Sequence, residues 1–192
     1  MQYILYLHGF HSSPLSEKTA IFKRYLDQAC PDITLIAPQI PVHIQPSIEL
    51  IDELVEQYPF SGVIGSSLGG YLATYLHNKY DLPIVLINPA VKPFEVLHEY
   101  LGEQIHPITG QEYELTDSDM KGLIDLYQDK IKNPNKIWLL QQEKDEILDY
   151  RMALEKYQNC KVTFELEGNH SFVGFDRFPA QIVAFFDGFT NN

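Results

Sequence analysis

Short apolar runs alternate with longer stretches of helical period from one end of the chain to the other. Tyr3 to Leu7 is an unbroken apolar run stopping at His8-Gly9, the pattern of a strand buried on both faces and closed by a turn. Leu15, Thr19, Phe22, Leu26 and Ala29 recur at steps of three and four, which predicts one face of a helix. Thr34 to Ala37 predicts a second strand halted by Pro38 and Pro41. Ile48, Ile51, Leu54 and Val55 predict a second helix with its capping start at Pro46-Ser47. Gly62-Val63-Ile64 is a third strand, followed by a helix over Leu68 to Asn78. Ile84 to Ile87 is a fourth, ended by Asn88-Pro89. Lys136 to Leu140 and Lys161 to Leu166 are the fifth and sixth, with helices near Tyr150 to Gln158 and Pro179 to Phe189.

Strands alternating with helices imply βαβ units, hence an α/β fold with a mostly parallel sheet of six strands flanked by helices. Such sheets place their sites beyond the carboxyl ends of the strands. One segment breaks the rhythm. Pro89 to Asn135 is much longer than a βα connection needs, and it holds two short helical patterns, near Phe94–Leu101 and Ser118–Ile131. We read the whole chain, 1–192, as a single domain with a small helical lid inserted at approximately 90–135.

Composition narrows the function. At 192 residues, with 45% hydrophobic and 21% charged positions, the chain can bury a real core. Its formal net charge of −12 repels phosphate backbones and anionic headgroups, so no nucleic-acid partner is expected. No stretch approaches the ~20 apolar residues that span a bilayer, so no membrane insertion is expected. Cys30 and Cys160 are too few and too far apart for a disulfide framework, and the first residues lack the charged region and cleavage site of a signal peptide. The expected compartment is the cytoplasm. No metal site and no cofactor are expected, because no His/Asp/Glu/Cys cluster has ligand spacing. The oligomeric state is not legible.

Gly65-Ser66-Ser67-Leu68-Gly69-Gly70 fits G-x-S-x-G, with a strand before it and a helix after it. A nucleophile on so sharp a turn needs small flanking residues, and the helix start favours negative charge developing there. Ser67 occupies the nucleophile position and Ser66 an x position. A serine hydroxyl needs a base. Of seven histidines, His170 follows the final strand, in Glu167-Gly168-Asn169-His170. His77 falls inside a helix, where packing explains it; His98 and His106 belong to the lid and His43 to a proline-rich loop. The orienting acid is sought after the fifth strand. Asp145 is preferred, because Asp149 immediately precedes a helix and reads as its N-cap; Glu143 and Glu146 are weaker alternatives. The order Ser67…Asp145…His170 is that of the α/β-hydrolases.

Acyl transfer also needs donors for the oxyanion, each worth ~3 kcal/mol. In this fold they are the backbone N–H after the nucleophile, here Leu68, and one from the loop after the first strand, here Phe10. Gly9 lets that loop approach closely. His8 is read as a buried histidine that holds the loop, and His11 as a pocket-lining candidate.

With these residues in place, the chain resembles the YqiA-like esterases, a group of small bacterial α/β-hydrolases. The resemblance rests on Tyr6-Leu7-His8-Gly9-Phe10 with Ser12-Ser13-Pro14, the Gly65–Gly70 run and Asn88-Pro89-Ala90-Val91. It continues through Tyr100-Leu101-Gly102 with Thr109-Gly110, Asp145 to Tyr150, and Gly168-Asn169-His170 leading into Phe172-Val173-Gly174-Phe175. It implies a serine esterase acting on small-molecule acyl esters, and it favours Asp145 over Asp149. Two other readings stand beside it: an acyl thioesterase or lipase-like hydrolase, and a non-catalytic binding or scaffold module on a hydrolase fold. Phe94, Leu97, Tyr100, Leu101, Tyr113 and Tyr127 are read as the lid's own core, with an acyl pocket as the alternative.

Overall fold

Strands buried on both faces read as continuous apolar runs, and the chain lays such runs at the centre of a six-stranded sheet. The structure is a computed structural model that describes residues 2–190. In chain order the elements are β1 (Gln2–Leu7), α1 (Glu17–Ala29), β2 (Ile33–Ile36), α2 (Ile44–Gln57), β3 (Phe60–Ser66), α3 (Leu68–Tyr80) and β4 (Ile84–Ile87). There follow α4 (Pro93–Leu97), β5 (Gly102–Ile105), β6 (Glu112–Leu115), α5 (Asp117–Asp125), β7 (Ile137–Gln142), α6 (Tyr150–Lys156), β8 (Lys161–Glu165) and α7 (Pro179–Thr190). The main sheet runs β2-β1-β3-β4-β7-β8, and every pairing in it is parallel.

Alternation along the strands divides the core in two. Leu5 and Leu7 of β1, Val63, Leu86 and Leu139 point toward α2, α3 and α6. Ile4, Tyr6, Ile64, Val85 and Trp138 point the other way, against Phe22 and Leu26 of α1 and Ile182 and Phe186 of α7. Burying each such side chain contributes about 1.5–3 kcal/mol, and all of these strand residues are at most 1% exposed. Gly62 on β3 leaves the space that the Phe186 ring occupies. His77, fully buried in α3, donates its Nδ1–H to the Leu82 carbonyl at 2.8 Å, a packing role. Among the described residues no helix is long and apolar enough to cross a membrane.

The structure corrects the sequence expectations at four points. The inserted segment is not only helical: between α4 and α5 it forms an antiparallel hairpin, β5–β6, with Gln104 opposite Tyr113. The second helix of the insertion, α5, ends at Asp125, short of Ile131. α2 starts at Ile44, so Pro46 and Ser47 lie inside its first turn; the Ser47 hydroxyl donates to the His43 and Pro41 carbonyls instead of capping. Leu15 lies ahead of the Ser16 cap of α1 and is 88% exposed, and Ala29 at the other end of that helix is exposed too.

The Phe186 ring fills the space over Gly62, so Phe186→Ala is expected to cost about 3–5 kcal/mol. Urea denaturation should show a lower midpoint at an unchanged slope.

Candidate active site

The strand order reverses between β1 and β3: the chain leaves β1 for β2 and returns to β3 on β1's other side. Ligand sites of open α/β sheets form at such a switch point, beyond the strand ends. Here Leu7 lies in register with Gly65, so the loop after β1 and the turn after β3 emerge together. A Cβ on Gly9 would stand 3.0 Å from the Ser67 Cβ.

Ser67 joins β3 to α3 with φ 55° and ψ −120°, a conformation that costs a non-glycine residue about 1–3 kcal/mol. Its backbone is held on both sides: its N–H donates to Ile87 O at 3.1 Å and its carbonyl accepts from Ala90 N at 3.0 Å. Ser66, the last residue of β3, is buried in register with Ile87. Leu68 opens α3, and its N–H is one of the unpaired donors of a helix start.

Across β4, the loops after β7 and β8 bring the other two groups. His170 Nε2 lies 3.0 Å from Ser67 Oγ, and His170 Nδ1 lies 2.9 Å from both oxygens of Asp145. An ionised carboxylate only accepts, so Nδ1 carries the proton and Nε2 is free to accept from the serine hydroxyl. The Asp145 side chain is fully buried and His170 is 22% exposed. Asp145 Oδ1 also accepts from the N–H groups of Ile147 and Leu148, each at 2.9 Å, which fixes the carboxylate from behind. Asp149 faces elsewhere: it caps α6 through Arg151 N and pairs with the Arg151 side chain. Glu146 accepts from the His170 backbone N–H at 2.9 Å, which holds its carboxyl below the ordinary range.

On the other side of Ser67, His8 is buried. Its Nδ1–H donates to Gly9 O at 2.8 Å, and its Nε2 accepts from Ile40 N at 3.0 Å. Burial pushes its pKa down, so the imidazole is neutral and holds the loop's shape. His11 has a left-handed backbone, φ 54°. Its ring stacks on Phe10 with centroids 3.9 Å apart, and its Nε2 lies 2.7 Å from the hydroxyl of Tyr113 on β6. The insertion is tied down a second time where Asp119 of α5 accepts from Ile44 N, His43 Nδ1 and Thr116.

These walls enclose a cavity of about 240 Å³ over Ser67 and His170. Phe10, His11, Leu68, Ala90, Pro93, Val96, Leu97, Tyr100, Ile147 and Leu148 complete its lining. Of the insertion residues singled out in the sequence, Leu97 and Tyr100 reach the cavity. Phe94, Leu101, Tyr113 and Tyr127 pack against the core instead.

Two residues essential to this geometry escaped sequence reasoning. Asn88, at φ 40°, donates through Nδ2 to the carbonyls of Asn169 and His170, while its Oδ1 accepts from Gln142 N. Gln142 is 2% exposed. Its Oε1 accepts from the N–H groups of Asn169 and Val173, and its Nε2 donates to Glu165 and to Val173 O. The available signal was a pair of polar residues, Gln141-Gln142, closing an otherwise apolar strand.

The sheet order and its flanking helices are those of the α/β-hydrolase fold. Over residues 3–187 the chain matches the uncharacterised protein family UPF0227, and it belongs to that family. The UPF0227 protein YcfP of Salmonella gallinarum is 27% identical over 191 residues, covering 95% of this chain and 97% of its own. Among solved structures, mouse alpha/beta hydrolase domain-containing protein 10 superposes with a TM-score of 0.77 at 14% identity, covering 98% of this chain and 90% of that one. The monoacylglycerol lipase of Paleococcus ferrophilus does so with a TM-score of 0.68 at 15% identity, covering 97% and 94%.

Two expectations follow. Gln142→Leu leaves the Asn169 and Val173 N–H groups without their acceptor, at about 1–3 kcal/mol for each that stays buried; chemical denaturation measures the loss. Burial also holds both His8 and His77 below the ordinary histidine value. The unfolded chain therefore takes up protons near pH ~6.5 that the folded protein refuses, so stability falls as pH drops below that value. A urea midpoint that stays flat from about pH 7 to about pH 5 would contradict this linkage.

Proposed function

We propose that this protein is a serine hydrolase that cleaves carboxylic esters through an acyl-enzyme intermediate. The observation that carries the reading is the unbroken hydrogen-bonded line from Ser67 through His170 to buried Asp145, opening into an apolar cavity. That a solved neighbour is a monoacylglycerol lipase supports ester chemistry on this framework.

In this mechanism His170 Nε2 takes the Ser67 proton as Oγ attacks the ester carbonyl, and Asp145 fixes the tautomer and stabilises the imidazolium. The N–H groups of Phe10 and Leu68 receive the oxyanion. Collapse of the tetrahedral adduct expels the alcohol, which leaves with the proton held by His170. A water then enters, His170 removes its proton, and a second adduct releases the acid and restores the serine. The cavity lining contains no Asp, Glu, Lys or Arg, which suits an uncharged apolar acyl group.

The test is hydrolysis of p-nitrophenyl esters from acetyl to dodecanoyl. Ser67→Ala is expected to lower kcat by about 10⁶-fold and Asp145→Asn by about 10⁴-fold. Asp149→Asn retains the wild-type rate, because asparagine caps a helix as well as aspartate does. Wild-type protein that neither hydrolyses any of these esters nor takes up a fluorophosphonate probe would remove the nucleophile assignment.

A further inference from the structure

The two edges of the main sheet are built differently. β2 is four residues long and flanked by Pro31 and Pro38, a blunted edge. β8 contains neither proline nor glycine. Its Val162 and Phe164 are 39% and 37% exposed, and Leu166 just beyond it is 66% exposed. The outward backbone groups can be assigned. Glu143 N–H donates to the Glu165 carbonyl, so the Glu165 backbone faces inward toward β7. Polar groups alternate sides along a strand, so the N–H and C=O of Val162 and Phe164 point outward. Among the described residues no strand pairs with that edge.

We propose that the occupant of this edge is a second copy of the chain, added antiparallel about a twofold axis through Thr163 so that the two sheets become one. The sequence Lys161-Val162-Thr163-Phe164-Glu165 is complementary to itself in that register. Val162 meets the partner's Phe164 as a hydrogen-bonded pair, which uses the four outward groups on each strand. Thr163 meets the partner's Thr163, and Lys161 meets the partner's Glu165. Each is a favourable cross-strand type: β-branched with aromatic, Thr with Thr, and opposite charges. Both charges lie at this edge and already have partners in their own chain. Lys161 Nζ is parked 3.5 Å over the Trp138 ring, and Arg177 and Gln142 fix the Glu165 carboxylate. A twofold contact of this kind is closed, so it stops at a dimer.

Sedimentation velocity over a wide concentration series tests the pairing. The wild type should dimerise reversibly. Val162→Glu combined with Phe164→Glu sets like charges opposite each other and should be monomeric throughout. Val162→Lys combined with Phe164→Glu carries as many new charges but sets opposite signs across the axis, and should dimerise again. A monomeric wild type overturns the proposal, and so does a Glu/Glu variant that still dimerises. Hydrogen exchange on the wild type gives an independent reading should a variant fail to fold. The Val162 and Phe164 amides should gain protection as concentration rises, and amides that exchange equally fast at all concentrations overturn the proposal.

Discussion

The site depends on a turn with no room for side chains around it. Ser67 occupies a left-handed backbone between β3 and α3, and a Cβ on Gly65 would run into the Gly69 carbonyl. One on Gly69 would run into the Leu7 carbonyl, and one on Gly70 into Pro89. This close approach lets α3 start directly against the ends of β1 and β4, with Leu68 as its first residue. The strain of about 1–3 kcal/mol is tolerable because both flanking elements are deeply buried and the Ser67 amide and carbonyl are paired to β4 and its loop.

Where an element's signal is its own periodicity, the sequence reveals it. The central strands of the main sheet were legible because burial on both faces leaves little but apolar residues in β1, β4 and β7, and the edge strands β2 and β8 by their short β-branched runs. Errors fall where a neighbour decides. The β5–β6 hairpin is short, and its only periodic signal is the four-residue alternation Glu112-Tyr113-Glu114-Leu115, the minimum that marks a strand. α2 runs through Pro46 because proline is tolerated in a first turn, where its missing N–H has no partner to lose. Leu15 matched the helical spacing but precedes the Ser16 cap, and capping, not spacing, sets where α1 begins.

The same division runs through the site. Ser67 and His170 stood out because motif and chain order mark them. Asp145 was separable from Asp149 because one lies in the loop and the other heads a helix, which is where each is found. Asn88 and Gln142 carry no such mark, since their roles exist only after three loops have met. The insertion is similar. His11 follows a strand in an unremarkable loop, yet its ring spans Phe10 and Tyr113, so a residue of β6 braces the loop that carries the Phe10 N–H. The inserted segment is therefore a wall of the site.

Asn88 and Gln142 also explain how the active site is joined to the fold. The His170 loop leaves Val173 and Leu166 55% and 66% exposed but buries Phe172 to 3%. Two anchors hold it: Phe172 packs into the core against Phe175 and Phe178, and side-chain amides take up backbone groups that would otherwise be buried and unpaired. In a low-dielectric interior such a network is strong when complete and costly when broken. Positioning the base and keeping the β7 and β8 ends together are thus the same set of hydrogen bonds. In the proposed reaction, damage to that set reaches rate and stability together, whereas apolar residues of the cavity such as Val96 and Tyr100 bear on the choice of substrate and not on the fold.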